Sequence, residues 1–396
     1  MADFTVSDDV RMIQGALRDF IAREVVPHEK RLAKELSDER FLLGDDGFVK
    51  PQVMEAVRAI RRKSAALGLY AMHMPVEEGG GGVSKQAMYE AWREVMRHGL
   101  GLNLAVLSFV EGPYPLFLRL DDAMKKRYLH PLVRGEKSSA FCLTEPGAGS
   151  DVGAIRATAV KKGGSYVLDG AKAYVTNGPY ADFYQVFAKT DPAAGLAGIS
   201  CFLVDCDLPG VSIGKSQLSL HADGAQCEVV FDGVEVPAEN RVGDEGEGFA
   251  LAIGNIGDTR VTIGGMCVGL AEFCQARAVE YAQAREAFGK PIGKLGQIQA
   301  MIADNETDIF AADNMLLRTS WLIDQGESAI KETSMVKVFA TEMLFRVADR
   351  AIQIHGGAGL MRELPLERIF RFARVLRIPE GTSEVQRWTI AKTLGL

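Results

Sequence analysis

No run in this 396-residue chain reaches the ~18 consecutive apolar residues that a bilayer-spanning helix needs, so no membrane insertion is expected. Cysteine is scarce and scattered. Cys142, Cys201, Cys206, Cys227, Cys267 and Cys274 form no C-x-x-C pair and have no histidine at ligand spacing, which argues against disulfides, structural zinc or any other metal. A basic tract is also missing, and with a net charge of −7 the chain is not expected to bind nucleic acid. The start, Met1, Ala2, Asp3 and Phe4, has no basic-then-apolar stretch, so it carries no visible secretory or mitochondrial address and reads as cytoplasmic. What is present is ordinary globular material, 47% hydrophobic and 24% charged, and long enough for two or three domains.

The hydrophobic period divides the chain into three. In residues 7–26, Val10, Ile13, Leu17, Phe20, Ile21 and Val25 recur at three- and four-residue intervals behind Ser7, Asp8 and Asp9. That spacing predicts an amphipathic helix stopped by Pro27. Helical patterns return at 53–67 and 85–96, and more weakly over 102–132. The polar stretch 36–51 reads as an extended surface loop, and the glycine run 79–82 as a flexible turn. From about Phe141 the texture becomes short β-branched and aromatic runs (155–160, 165–168, 183–188, 199–204 and 228–236), with Gly163 and Gly164 marking a hairpin. From Gly246 the helical period resumes in long segments. Ile298, Met301, Ile302, Ile309 and Leu316 mark one buried face, as in a four-helix-bundle-like domain that also supplies an oligomer interface. The expected fold class is α+β multidomain. It comprises an N-terminal α-helical domain (1–137), a central β-barrel or sandwich domain (138–243) and a C-terminal four-helix-bundle domain (244–396).

Five segments carry chemistry-bearing residues. The first is Phe141-Cys142-Leu143-Thr144-Glu145-Pro146-Gly147-Ala148-Gly149-Ser150-Asp151, whose glycines uncover backbone N–H groups for an anion or a flavin edge. Its glycines nearly spell a dinucleotide fingerprint, but the spacing is one residue too long and strands follow, so a Rossmann reading fails. The second, Gly170 to Gly178, is a strand ending in an Asn-Gly turn. The third is Arg285-Glu286-Ala287-Phe288-Gly289-Lys290-Pro291 followed by Gln297, where a helix ends at Gly289. Cap and dipole effects explain it equally well. The fourth is Gln353-Ile354-His355-Gly356-Gly357-Ala358-Gly359, a glycine-terminated helix with His355 read as a packed or capping histidine. The fifth is Pro379-Glu380-Gly381-Thr382-Ser383-Glu384-Val385-Gln386-Arg387, which places a carboxylate ahead of a helix.

Together, and over essentially the whole chain in order, these segments resemble the FAD-dependent acyl-CoA dehydrogenase family. The resemblance implies the three-domain fold, a homotetramer or dimer, and FAD. Phe141, Leu143, Thr144, Gly149 and Ser150 would lie along the flavin and pyrophosphate, with Tyr174 and Thr176 over the isoalloxazine. Arg285, Gln297, Gln353, Gly356 and Gly357 would reach the FAD of a neighbouring subunit. Thr382 would close the site beside Glu380, the family's base. Gly257, Asp258, Thr259 and Arg260 match the stretch facing the CoA portion of the substrate, which Ser150 and Gly381 would also contact. The activity implied is α,β-dehydrogenation of an acyl-CoA to the 2,3-enoyl-CoA, in fatty acid metabolism of the β-oxidation type. Glu380 would take the α-proton and flavin N5 the β-hydride, with electrons passing to an electron-transfer flavoprotein. The thioester oxygen would be held by the Glu380 N–H and a ribityl hydroxyl.

Tyr174 stands where the family usually has Trp, and Pro379 where Tyr is common. Leu220-His221-Ala222-Asp223 replaces the usual Met-Gly-x-Arg, and the loop 36–51 is longer than in the simplest members. Some relatives carry the base at the position of Thr259, which cannot serve as one, leaving Asp258 as the rival carboxylate. The competing functions are a flavin oxidase or monooxygenase of the same fold and a non-catalytic FAD- or CoA-binding subunit. Gly264 and Gly265 suggest room for a bulky or branched acyl chain.

Overall fold

The computed structural model describes residues 7–221 and 224–396, without the side chain of Asp258. Met1, Ala2, Asp3 and Phe4, and the Ala222 and Asp223 of the departing stretch, lie outside the described residues. Helices up to His130–Val133 precede eight strands from Ser139–Cys142 to Arg241–Val242, and helices from Gly248–Ala284 onward follow. The three-domain expectation is met in that order. The chain clusters into two compact units, one of Met1–Asp38, Val83–Val106 and Gly257–Leu396, the other of Glu39–Gly82 and Leu107–Ile256.

The first unit is helical. Ser7 caps Asp8–Phe20, its Oγ accepting from the Val10 N–H at 3.3 Å, and Val10, Leu17, Phe20, Ile21 and Val25 are buried as their spacing predicts. Pro27 does not stop the helix. The ladder first widens into a π turn over Ile21–Val25, and Pro27 then opens Val26–Arg31. At a first turn its missing N–H costs little. The stretch 36–51 is not an extended loop either: Ala33–Ser37 is helical, and in the second unit Glu39–Leu42 is helical and a Leu43–Val49 bridge closes the turn that follows.

Gly248–Ala284 buries Val261, Ile263, Met266, Cys267, Val268, Leu270, Ala271, Cys274 and Ala278, so its apolar residues wrap most of its circumference. Its glycines are seam residues rather than pocket lining, which corrects the reading of Gly264 and Gly265. A Cβ on Gly264 would meet Leu316 Cδ2 at 2.5 Å and Val336 Cγ1 at 3.0 Å. One on Gly265 would meet the Tyr89 carbonyl at 3.0 Å and Trp92 Cβ at 3.1 Å, and one on Gly269 would overlap the Arg93 carbonyl. Beside this seam Arg93 reaches Glu272 at 2.6 Å and Asp313 at 3.1 Å, and Arg97 reaches Glu272 at 2.6 Å. Burial pushes the Glu272 carboxyl up, but the two guanidinium groups prevail and hold it below the usual range. On Gly296–Asp324, Ile309 and Leu316 are buried, whereas Ile298, Met301 and Ile302 are half-buried.

The long helix ends at Ala284, earlier than expected. Glu286–Ala287 and Lys290–Pro291 form a two-stranded hairpin turning at Phe288 (φ 54°) and Gly289 (φ 75°).

In the second unit β1 is Ser139–Cys142, β2 Thr158–Lys162, β3 Ser165–Thr176, β4 Phe183–Lys189, β5 Ile199–Asp205, β6 Val211–Ser216, β7 Gln226–Pro237 and β8 Arg241–Val242. They pair in the order β6-β7-β3-β2-β4-β5-β8, with β1 parallel to β4. The β2–β3 hairpin turns at Gly163 and Gly164, as their sequence predicts. Both sheet faces are covered. Along β4, Phe183 and Phe187 face one core with Tyr128, Leu129 and Phe117, while Tyr184, Val186 and Ala188 face another with Phe202, Val229 and Phe231. The Tyr184 and Phe231 rings meet at 6.2 Å although β2 and β3 separate their strands. Flat strands ~4.8 Å apart could not bring them together, so the sheet curls. The six cysteines are free, and burial pushes the Cys142, Cys201 and Cys274 thiols upward.

Gly269→Ala should destabilise the protein by about 1–3 kcal/mol, because the facing carbonyl belongs to a helix and cannot yield cheaply. Gly254→Ala, with open space at the same atom, should leave stability level or raise it. Urea unfolding of the two variants checks the contrast.

Candidate active site

Four non-glycine residues among those described have positive φ, namely Tyr174, Asn177, Phe288 and Glu380. Each lies in a segment the sequence singles out. Such backbone costs of order 1–3 kcal/mol per residue and persists only where its surroundings over-determine it.

In the first unit Glu380 (φ 58°) and Gly381 (φ 88°) form a left-handed turn before Ser383–Thr393. Thr382 caps that helix, its Oγ1 accepting from the Val385 N–H at 3.2 Å. Gln386 Nε2 donates to the Glu380 carbonyl at 3.0 Å and to the Gly381 carbonyl at 3.1 Å. Glycine suits 381 because its φ of 88° is left-handed; a Cβ would also sit 2.5 Å from that same nitrogen and displace it. Lys337, on Ile330–His355 and 0% exposed, donates Nζ to the Gly381 carbonyl at 2.7 Å. The Thr259 hydroxyl donates to Glu380 Oε2 at 3.1 Å. Burial raises the Glu380 carboxyl above the usual range, offset only partly by the Thr259 hydrogen bond and the Lys337 and Arg260 charges. A carboxyl so placed is a stronger base than one in water.

The structure therefore brings Thr259, Arg260, Glu380, Gly381 and Thr382 into one cluster. Thr259 serves the carboxyl directly. Arg260 is buried, with Nη1 at 3.4 Å from Ser334 Oγ and Nε lacking a hydrogen-bond partner among the described residues. Gly257 lies a turn earlier on the helix, and Asp258 is undescribed beyond its backbone.

In the second unit the first two segments are one construction. The Ala173 N–H donates to the Thr144 carbonyl at 2.9 Å, and the fully buried Lys172 donates to the Leu143 carbonyl at 3.1 Å and to Glu145 Oε1 at 2.7 Å. Glu145 also accepts from the Arg156 N–H at 2.6 Å and the Ala157 N–H at 3.0 Å. Burial alone would raise the Glu145 carboxyl, but Lys172 and these N–H groups hold it below its usual range. A register shift in β3 between Lys172 and Val175 then turns Tyr174 outward, 65% exposed, its N–H donating to Gln217 Oε1 at 2.6 Å. Phe141 is half-buried, stacked obliquely on Phe187 at 4.7 Å, and Leu143 is buried. Thr144 and Thr176 are half-exposed, Gly149 and Ser150 exposed. A Cβ at Gly147 or Gly149 would meet nothing.

Arg285, Gln297, Gln353, Gly356 and Gly357 are all exposed. His355 is the packed histidine expected, stacked on Tyr281 at 4.3 Å with Nδ1 at 2.8 Å from the Ala351 carbonyl. Sequence reasoning misses Lys337 and Gln217, and gives no role to Gln386, Lys172 or Glu145, which lie inside the segments it singles out. Lys337 had a signal: it shares the inward stripe of its helix with Thr333, Ser334, Thr341 and Leu344. No cluster of metal-ligating side chains is found among the described residues.

Three acyl-CoA dehydrogenase profiles match in succession, the N-terminal domain over residues 7–136, the middle domain over 140–234 and the C-terminal domain over 246–395. An acyl-CoA dehydrogenase of Bacillus subtilis (strain 168) is 36% identical, covering 98% of each chain. The caffeyl-CoA reductase-Etf complex subunit CarC of Acetobacterium woodii is 34% identical, again covering 98% of each. The solved butyryl-CoA dehydrogenase of Megasphaera elsdenii superposes with a TM-score of 0.87 at 31% identity, covering 100% of both chains.

Lys172→Met should cost about 3–5 kcal/mol, because it strands a buried carboxylate. Adding Glu145→Leu should recover only part of the loss, since the Arg156 and Ala157 N–H groups then lose their acceptor. Denaturant unfolding of the single and double variants reads this directly.

Proposed function

The chain belongs to the acyl-CoA dehydrogenase family, and from that premise we propose that it is a FAD-dependent enzyme desaturating an acyl-CoA between C2 and C3, with Glu380 as its base. The observation that carries the reading is the Glu380 carboxyl itself, held in left-handed backbone, hydrogen-bonded by Thr259 and raised in pKa by burial. A proton next to a thioester is weakly acidic, and abstracting it calls for a desolvated carboxylate held still. Bound acyl chain would exclude water further and strengthen that base.

The residues present fit FAD. The 144–150 loop leaves open space above Gly147 and Gly149, and the Tyr174 ring is turned outward beside it. Phe141, Leu143, Thr144, Gly149, Ser150, Tyr174, Thr176 and Thr382 would hold the cofactor. When bound, FAD supplies a two-electron acceptor for the β-hydride. Exposure of Arg285, Gln297, Gln353, Gly356 and Gly357 suits contact with the cofactor of a neighbouring subunit in a homotetramer or dimer. Phe288 at 91% exposure and the exposed Leu360, Met361 and Trp388 also favour assembly. Ser150, Gly257, Asp258, Thr259, Arg260 and Gly381 are the proposed acyl-CoA contacts. The relative named as part of an Etf complex supports an electron-transfer flavoprotein as the electron partner.

Glu380→Gln should keep FAD and acyl-CoA binding, yet slow anaerobic flavin bleaching by ~10²–10⁴-fold or more. Native bleaching in this variant, with loss in Asp258→Asn instead, would move the base to the earlier helix. Turnover of the native protein with oxygen as sole acceptor would favour the oxidase reading.

Arg285→Ala should lose FAD on dilution while the flavin that stays bound reacts at the native rate, because a guanidinium on a pyrophosphate contributes binding rather than chemistry. Ultrafiltration followed by absorbance at the flavin band checks both halves.

A further inference from the structure

We infer that Lys337 is a positioning residue for the base, its buried ammonium group holding the Gly381 carbonyl so that the Glu380 carboxyl keeps one direction. The inference rests on Glu380 being the base. Burying a lysine is costly, and a packing role alone would be met by methionine or leucine. Lys337 instead donates to a backbone oxygen, at 2.7 Å, in a turn with two successive left-handed residues. Gln386 holds the same oxygen at 3.1 Å and the preceding carbonyl at 3.0 Å. The two donors arrive from different helices, Ile330–His355 and Ser383–Thr393, so the turn is fastened from two sides. Thr259, from Gly248–Ala284, then meets the carboxyl whose direction that turn sets.

The groups facing Lys337 are Cys267 and Arg260 from the long helix, with Glu380 and Glu384 from the turn and the helix after it. Burial, aided by Arg260 and opposed by Cys267, Glu380 and Glu384, brings the lysine down to about 8. Neutral or charged, the amine can still donate to Gly381. Its charge does something separate, since it lowers the pKa of Glu380.

The test uses the full-length, FAD-loaded protein and the member of an acyl-CoA panel oxidised fastest, with ferrocenium as acceptor. Lys337→Met should lower kcat per bound flavin by roughly 10²-fold with KM near native, as expected for a base held in the wrong direction. It should also move the acid limb of the kcat/KM profile upward by on the order of one pH unit, because a cation near the carboxylate has gone. Lys337→Gln, which restores a donor without charge, should recover part of kcat and leave the acid limb shifted. A lysine that only packed would change melting temperature or FAD content and leave kcat per flavin and the acid limb native, and that result overturns the inference. Should Lys337→Met fail to load FAD, Lys337→Ala takes its place, and native kcat per flavin with an unshifted acid limb in that donor-less variant overturns it equally. Glu380→Gln is run alongside. If it is inactive while both Lys337 variants are native, only this inference falls; if it keeps the native rate, the base assignment fails and the inference with it.

Discussion

Glu145 and Glu380 are both withdrawn from water, and the compensation each finds decides what it does. Glu145 meets an ammonium group at 2.7 Å and two backbone N–H groups, so its carboxylate is more stable in place than in solvent. It is an anchor and a poor base. Glu380 has one hydroxyl at hydrogen-bond distance and two cations that act without touching it, and burial prevails. Residue type is shared, with Glu145 buried and Glu380 half-buried; the difference lies in how completely the lost hydration is replaced. The proposed chemistry depends on that shortfall, because a fully compensated carboxylate at 380 would hold its charge too well to accept a proton.

The same contrast appears in the backbone. Where Glu145 stands, the turn is fastened through its own side chain. At Glu380 the side chain is left out of the fastening, and Lys337, Gln386 and the Thr382 cap hold the main chain. A reactive side chain is thereby kept in place by contacts that do not consume it.

Much of this was legible in the sequence. Element type followed from the hydrophobic period, which distinguished the helical ends from the β middle, and the five segments contain every non-glycine residue of positive φ that the structure describes. What failed had local causes. Pro27 reads as a stop because a single residue does not reveal that it opens a new first turn after a π turn. Arg285 to Gly289 reads as a helix end, although Phe288 and Gly289 together make a hairpin turn. Gly264 and Gly265 read as space in the sequence, yet they are places where helices pack closely. Lys337 escaped for a different reason. Lysine is ordinarily a surface residue, and only its place on an otherwise inward stripe argues against that.

The glycines at 264, 265 and 269 work as a keyway. Each accepts a projecting part of a neighbour, Leu316 and Val336 at the first, Trp92 and the Tyr89 carbonyl at the second, and the Arg93 carbonyl at the third. A helix keyed at three points over about a turn and a half cannot rotate about its axis, since one residue of slip would turn it by ~100° and drive side chains into those slots. Thr259 lies five residues before the first slot on the same rigid rod. Its azimuth, and so the aim of its hydroxyl at Glu380, is set by the absence of side chains further along the helix.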